Sequence, residues 1–239
     1  MNRILFEEQQ PVYTLDPGDP RFDHVRGVLR MQKGDSFDIG VINGPTGKAL
    51  IVGLDKESLQ VEASWGERPP LPPDIRLLVG MCRPATVRKL LSTIPTMGVR
   101  YLDFVSTGRT DSAYEKASIW KEGEWRRRLV EGVEQSFDTF LPEVEVADSL
   151  EGYCRKLPER SNRLALDVYE GSRRLSTVSL QKGESVTLAI GPERGWSATD
   201  RKILVENGFS LVSLNERVLR VETAVIVGLT LVLERLGIY

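Results

Sequence analysis

The strand-like run Val186-Thr187-Leu188-Ala189-Ile190 breaks directly into Gly191-Pro192-Glu193-Arg194-Gly195-Trp196-Ser197, and this junction decides the fold. Ser197 followed by Asp200 is a capping-box-like start, the acid standing where Glu or Gln is usual, so a helix is predicted over Ala198–Asn207. A buried strand, a glycine-rich turn and a capped helix make one half of a βα unit. Such a loop brings free backbone N–H groups and a main chain without Cβ to a sheet's carboxyl edge, where a ligand can come close. A plain connecting turn is the alternative. Neither the GxGxxG pattern nor the P-loop pattern is present, which removes the ordinary dinucleotide and nucleoside triphosphate fingerprints.

Outward from this junction, strand and helix signals alternate. Strands are predicted at Ile75–Met81, Tyr101–Ser106, Glu143–Ala147, Arg163–Tyr169, Ser185–Ile190 and Phe209–Leu214. Helices are predicted at about Ala85–Met97, Lys121–Ser136, Ser149–Lys156, Ala198–Asn207 and Glu222–Leu236. That alternation implies an α/β domain with parallel strands and helices on both faces, its ligand beyond the carboxyl ends of the strands. The last helix is apolar on more than one side, through Val225, Ile226, Val227, Leu229, Leu231, Val232 and Leu233. It is therefore buried either within its own domain or against a second subunit.

Glu67–Asp74 (ERPPLPPD) holds four prolines in eight residues and reads as the linker. Residues 1–70 before it form a small β-rich domain, with strands at Arg3–Phe6, Phe37–Ile42, Lys48–Leu54 and Ser58–Ala63. One helix, about Pro20–Arg30, starts behind the N-cap Asp19. Residues 71–239 form the α/β domain.

Composition narrows the chemistry. The chain of 239 residues has 32 basic and 34 acidic side chains, a net charge of -2, so any nucleic-acid site is a local patch. One histidine, His24, and two cysteines outside any CxxC pair rule out a Cys/His metal cluster, and no metal is expected. The opening MNRILFEEQQ turns acidic at once, and the longest apolar stretch, Ala224–Leu233, is too short to span a bilayer. A cytoplasmic protein without membrane contact is expected.

The stretches Ile190–Ser197 (IGPERGWS), Leu214–Ala224 (LNERVLRVETA) and Glu131–Ser136 (EGVEQS) with Leu141-Pro142-Glu143 resemble the signatures of the RsmE family. These are ribosomal RNA small subunit methyltransferases of the SPOUT class, which methylate N3 of a uridine. The run His24–Arg30, with Lys33-Gly34-Asp35 and Asn43-Gly44, is similar to that family's PUA-like N-terminal domain. The resemblance implies a SPOUT-type α/β domain with a C-terminal trefoil knot, preceded by a PUA-like RNA-binding domain. It also implies a homodimer that binds S-adenosylmethionine and modifies 16S rRNA of the small ribosomal subunit. The cofactor-binding positions it points to are Leu166, Ile190, Gly191, Pro192, Gly195, Leu214, Asn215, Val218, Leu219, Thr223 and Ala224.

Uracil N3 is a poor nucleophile until it loses its proton, so such an enzyme needs a base or a stabiliser of the uracil anion. Arg220 is the expected stabiliser, Glu222 its orienting partner or the base itself, and Glu193 the third catalytic candidate. A structural Arg220–Glu222 ion pair is the competing reading. Arg21, Arg26, Arg30 and Lys33 are the candidate RNA contacts of the small domain. Substitutions relative to the family pattern at Arg83-Pro84-Ala85, Phe137-Asp138 and Arg194 keep a second function open: an RNA-binding SPOUT homologue with lost activity or a different nucleotide specificity.

Overall fold

The computed structural model describes residues 2–121, 123–159 and 161–239. The chain divides into two compact units, one of residues up to Leu71 together with Val130–Leu141, the other of Pro72–Leu129 and Pro142–Tyr239. Val130–Leu141 thus belongs to the first unit, although the sequence pattern assigns it to the α/β domain. Long-range pairing decides this: Glu134 accepts the Arg3 N–H on its carbonyl at 3.0 Å and the Leu5 N–H on Oε1 at 3.0 Å.

The first unit is a five-stranded sheet built from β1 (Ile4–Phe6), β2 (Val12–Leu15), β3 (Ser36–Val41), β4 (Thr46–Leu54) and β5 (Leu59–Trp65). Its order is β1-β3-β4-β5-β2, antiparallel except for the β1–β3 pair. Ile39, Ala49, Ile51, Leu59 and Val61 alternate onto the buried face, as a half-covered sheet requires. The helix predicted over Pro20–Arg30 is two pieces: α1 (Pro20–Asp23), capped by the Asp19 side chain on Arg21 N–H, then a π-helical turn His24–Val28. β2 has no counterpart in the sequence reading.

The second unit holds β6 (Ile75–Gly80), β7 (Tyr101–Val105), β8 (Val146–Ala147), β9 (Ser161–Leu166), β10 (Arg173–Arg174), β11 (Ser185–Ile190) and β12 (Ser210–Ser213). All pairings are parallel, in the order β10-β12-β9-β11-β6-β7-β8. This is the α/β class the sequence predicts. Its helices are α2 (Pro84–Thr93), α3 (Ser118–Lys121), α4 (Glu124–Gln135, in the first unit from Val130), α5 (Leu150–Cys154), α6 (Ala198–Glu206) and α7 (Val221–Arg235).

Alternate strand residues serve the two faces. Ala165 and Ala189 join Leu150, Tyr153, Cys154 and Leu204 of α5 and α6 in one buried cluster. On the other face Gly228 of α7 lies against Leu166 and Leu188, close enough that an added Cβ would meet them at 3.0 and 3.2 Å. The helix predicted over Lys121–Ser136 is instead α3 and α4, separated where Gly123 takes φ 70°. Residue 122 of that prediction lies outside the described residues. The strand predicted to reach Tyr169 ends at Leu166, because the Asp167 carboxylate accepts the Tyr169 and Glu170 N–H groups at 2.7 and 2.9 Å and turns the chain.

Candidate active site

In the order β12-β9-β11-β6, four adjacent parallel strands present their carboxyl ends side by side. The segments that leave them enclose one cavity of about 680 Å3, lined from residues 83–89, 166–169, 190–196 and 214–224, with Arg201. That is the expected place for a ligand in a parallel sheet. Its volume is in the range of small-molecule sites.

Local contacts fix each wall. Trp196 is buried and its indole N–H donates to the Leu166 carbonyl at 3.0 Å, tying the loop after β11 to the end of β9. Ser197 Oγ accepts the Asp200 N–H and Asp200 accepts the Ser197 N–H, the reciprocal cap that starts α6. Arg201, one turn into α6, donates Nε–H to Asp167 Oδ2 at 2.6 Å, with both side chains largely buried. α2 has no capping side chain of its own at Arg83. Glu193 supplies it from the neighbouring loop, accepting the Arg83 N–H at 2.9 Å and the Thr86 hydroxyl at 3.2 Å.

All the candidate cofactor positions line the cavity except Thr223, which is exposed on the first turn of α7 and lies outside the lining. The three candidate catalytic residues also line it. Their situations differ. Glu193 is engaged with the start of α2. Glu222 accepts from Lys89 Nζ at 3.1 Å, and its own backbone N–H together with Lys89 holds its carboxyl below the usual carboxylate range. Arg220 is exposed and, among the described residues, enters no ion pair; an Arg220–Glu222 pair within 4 Å is not what the loop contains. Sequence reasoning missed Lys89, Tyr169 and Arg201, single polar residues on ordinary elements whose role appears only when α2 and α6 are placed beside the strand ends.

The candidate RNA contacts lie in the first unit. Arg21 is committed to Asp19, through Nε at 2.9 Å and Nη2 at 2.6 Å, and lies over the Phe6 ring. Arg26, Arg30 and Lys33 are exposed. Among the described residues no group of three metal-ligating side chains occurs, and no helix is long and apolar enough to cross a membrane.

Residues 69–233 match the family model described as RNA methyltransferase domain. A ribosomal RNA small subunit methyltransferase E of Treponema pallidum is 30% identical over 243 aligned residues, which cover 98% of this chain and 91% of the relative. The chain belongs to the ribosomal RNA small subunit methyltransferase E family. The fold agrees with that membership. A family member from Neisseria gonorrhoeae, solved bound to S-adenosyl methionine, superposes with a TM-score of 0.84 at 20% identity, covering 99% of this chain and 98% of that one. A putative methyltransferase of Legionella pneumophila, solved in complex with SAM, gives 0.81 at 25% identity, covering 97% and 96%.

The cavity suits such a cofactor on its own evidence. At Gly191 an added Cβ would lie 3.1 Å from Gly195 Cα and 3.2 Å from Trp196 N, so the loop folds back closely on its own main chain there. Leu166, Ile190 and Leu219 give apolar lining and the folded-back main chain gives polar groups, the mixture an adenosine requires.

Proposed function

We propose that this chain is an S-adenosylmethionine-dependent methyltransferase acting on N3 of a uridine in 16S rRNA of the small ribosomal subunit. The observation that carries the proposal is the cavity at four adjacent strand ends in a chain of this family. The donor, when bound, supplies a methyl group activated by a sulfonium.

The protein's part is to hold the cofactor, align the acceptor and deal with the imide proton. Leu166, Ile190, Leu219 and the main chain at Gly191–Gly195 would hold the cofactor. Arg220 makes no close ion pair among the described residues, although its charge helps to hold the Glu222 carboxyl low, and its planar fork of N–H donors at the cavity wall suits a uracil anion whose charge lies on its carbonyl oxygens. Glu222 is ionised at neutral pH and engaged by Lys89, which makes it a weak proton acceptor and a holder of α2 against α7. Glu193 builds the start of α2 rather than taking the proton.

Exposed Arg26, Arg30 and Lys33 suit the PUA-like role for the first unit, docking RNA by its phosphates. Ile226 and Val227 on α7, 41% and 37% exposed, favour pairing with a second copy. The trefoil threading of the C-terminal segment and a cytoplasmic setting belong to the same proposal. Transfer of labelled methyl to small subunits from a strain lacking this gene, with the modified base mapped by mass spectrometry, tests it. Arg220→Ala is expected to abolish transfer while leaving S-adenosylmethionine affinity within a few fold. Lost cofactor binding in a folded Arg220→Ala protein would give Arg220 a pocket-shaping role instead. Labelling at another base would support the different-specificity alternative, and cofactor binding without transfer would support an RNA-binding homologue.

A further inference from the structure

The charge of the cavity does not match its cofactor. Six cations line it, Arg83, Lys89, Arg194, Arg201, Arg217 and Arg220, against the carboxylates of Asp167, Glu193 and Glu222. This surplus of positive charge stands on a chain whose net charge is -2. The carboxylates are already engaged, Asp167 by Arg201, Glu222 by Lys89 and Glu193 by the Arg83 N–H and the Thr86 hydroxyl. Arg83, Arg194, Arg217 and Arg220 are exposed and, among the described residues, take part in no ion pair. S-adenosylmethionine is itself a net cation, because its sulfonium and ammonium outweigh its carboxylate. One carboxylate on the cofactor can engage at most one or two of these guanidiniums, so the rest are available to a second, anionic ligand.

Two of them lie on lining loops whose main chain is pinned, one after β11 and one after β12. The Arg194 carbonyl accepts from the Arg109 guanidinium, and the Arg217 N–H donates to Asn215 Oδ1 at 2.7 Å. The same lining holds Tyr169, which is 74% exposed, has its backbone pinned to Asp167 Oδ1 at 2.7 Å and carries the Arg201 guanidinium 5.8 Å from its ring centroid, leaving the other face of the ring for a base. Exposed guanidiniums carried on pinned main chain, with an exposed aromatic ring in the same lining, are the composition of a seat for single-stranded RNA, phosphates on the cations and a base on the ring.

We propose that the mouth of the cavity is such a seat: Arg194 and Arg217 contact phosphates next to the target nucleotide, and Tyr169 stacks a neighbouring base. This rests on the methyltransferase reading and adds residues of the second unit to the RNA contacts. The surplus charge is then explained by the substrate, and the cofactor is held by shape and main chain.

The test is binding of fluorescently labelled protein to unmethylated small ribosomal subunits, without cofactor, over 50 to 300 mM KCl (roughly the range in which phosphate contacts dominate the salt response). The double variant R194Q/R217Q is expected to flatten the slope of log affinity against log salt by about 1.4, two single-strand phosphate contacts. Tyr169→Ala is expected to weaken binding on the order of tenfold with the slope unchanged, and Tyr169→Phe to restore it. R173Q/R174Q removes two exposed cations outside the cavity lining and is expected to leave the slope alone. An unchanged slope in R194Q/R217Q, an equal flattening in R173Q/R174Q, or no loss in Tyr169→Ala overturns the proposal. Calorimetric titration of the same variants with S-adenosylmethionine separates the two failures. Intact cofactor binding with an unchanged slope sinks the RNA seat alone, whereas a wild-type chain that neither binds the cofactor nor transfers methyl sinks the underlying reading.

Discussion

Gly80, the last residue of β6, does not line the cavity, yet it holds the cavity's shape. A Cβ there would lie 2.4 Å from Pro192 Cδ and 2.7 Å from Pro192 N, and Pro192 is a wall of the site. Carbon atoms approach no closer than about 3.5 Å without repulsion, so in Gly80→Ala the proline must retreat by about 1 Å. The obstacle is a rigid ring and its backbone, and a rotamer change cannot absorb it. Overpacking of this kind costs about 1–3 kcal/mol. At about 2–4 °C per kcal/mol for a chain of this size, the melting temperature falls by several degrees. The larger effect is on function, since a shift of about 1 Å in a positioning loop reduces transfer on the order of a hundredfold. Thermal unfolding, calorimetric titration with S-adenosylmethionine and labelled-methyl transfer would be measured in parallel. Gly66→Ala, an exposed position where an added Cβ would come no closer than 3.5 Å to a neighbour, is the control and should match the wild type. A Gly80→Ala protein with unchanged melting, cofactor affinity and transfer would refute the claim that this close approach shapes the pocket.

Other expectations follow from the same walls. Asp167→Ala leaves the largely buried Arg201 with only the exposed Glu170 as an ion-pair partner and also removes the acceptor that turns the chain after β9, so about 1–3 kcal/mol should be lost. Asp167→Asn keeps the turn and should lose less; equal losses in denaturant unfolding would contradict the division between pair and turn. Because the Glu222 carboxyl is held below its ordinary pKa, the stability this confers is present above the unfolded-state value and disappears only as pH falls through the lower folded value. The rate of transfer should consequently show no inflection from Glu222 between about pH 6 and 8, and an inflection there that vanishes in Glu222→Gln would restore it as the base. Burial pushes the Cys154 thiol up to about 11 and the Cys82 thiol higher, so neither should react with iodoacetamide at pH 8 until the protein unfolds. Mass spectrometry of the alkylated native protein checks this, and a modified Cys82 or Cys154 would contradict the packing.

The βα alternation and the junction at Ile190–Ser197 were legible because each rests on local physics: a buried apolar strand, a glycine turn and a reciprocal Ser197–Asp200 cap. The last helix was legible for the same reason, being a long apolar run with an evident start. What the sequence hides depends on partners distant in the chain. β2 is a four-residue edge strand whose register comes from Tyr13 meeting Val61, and nothing local marks it. Val130–Leu141 reads as part of the α/β domain because α4 is continuous, whereas the pairing of Glu134 with Arg3 and Leu5 assigns it elsewhere. Glu193 looks catalytic in a conspicuous loop, yet its carboxylate caps a helix more than a hundred residues earlier in the chain. The opposite holds for Lys89, Arg201 and Tyr169, which are plain in sequence and placed in the site by sheet order.

The most direct test is a single reaction with the intact protein, labelled S-adenosylmethionine and unmethylated small ribosomal subunits. One methyl group per subunit, on N3 of a single uridine, is the result this account predicts. Label on protein only, on another atom of the base, or nowhere despite saturating cofactor would contradict it.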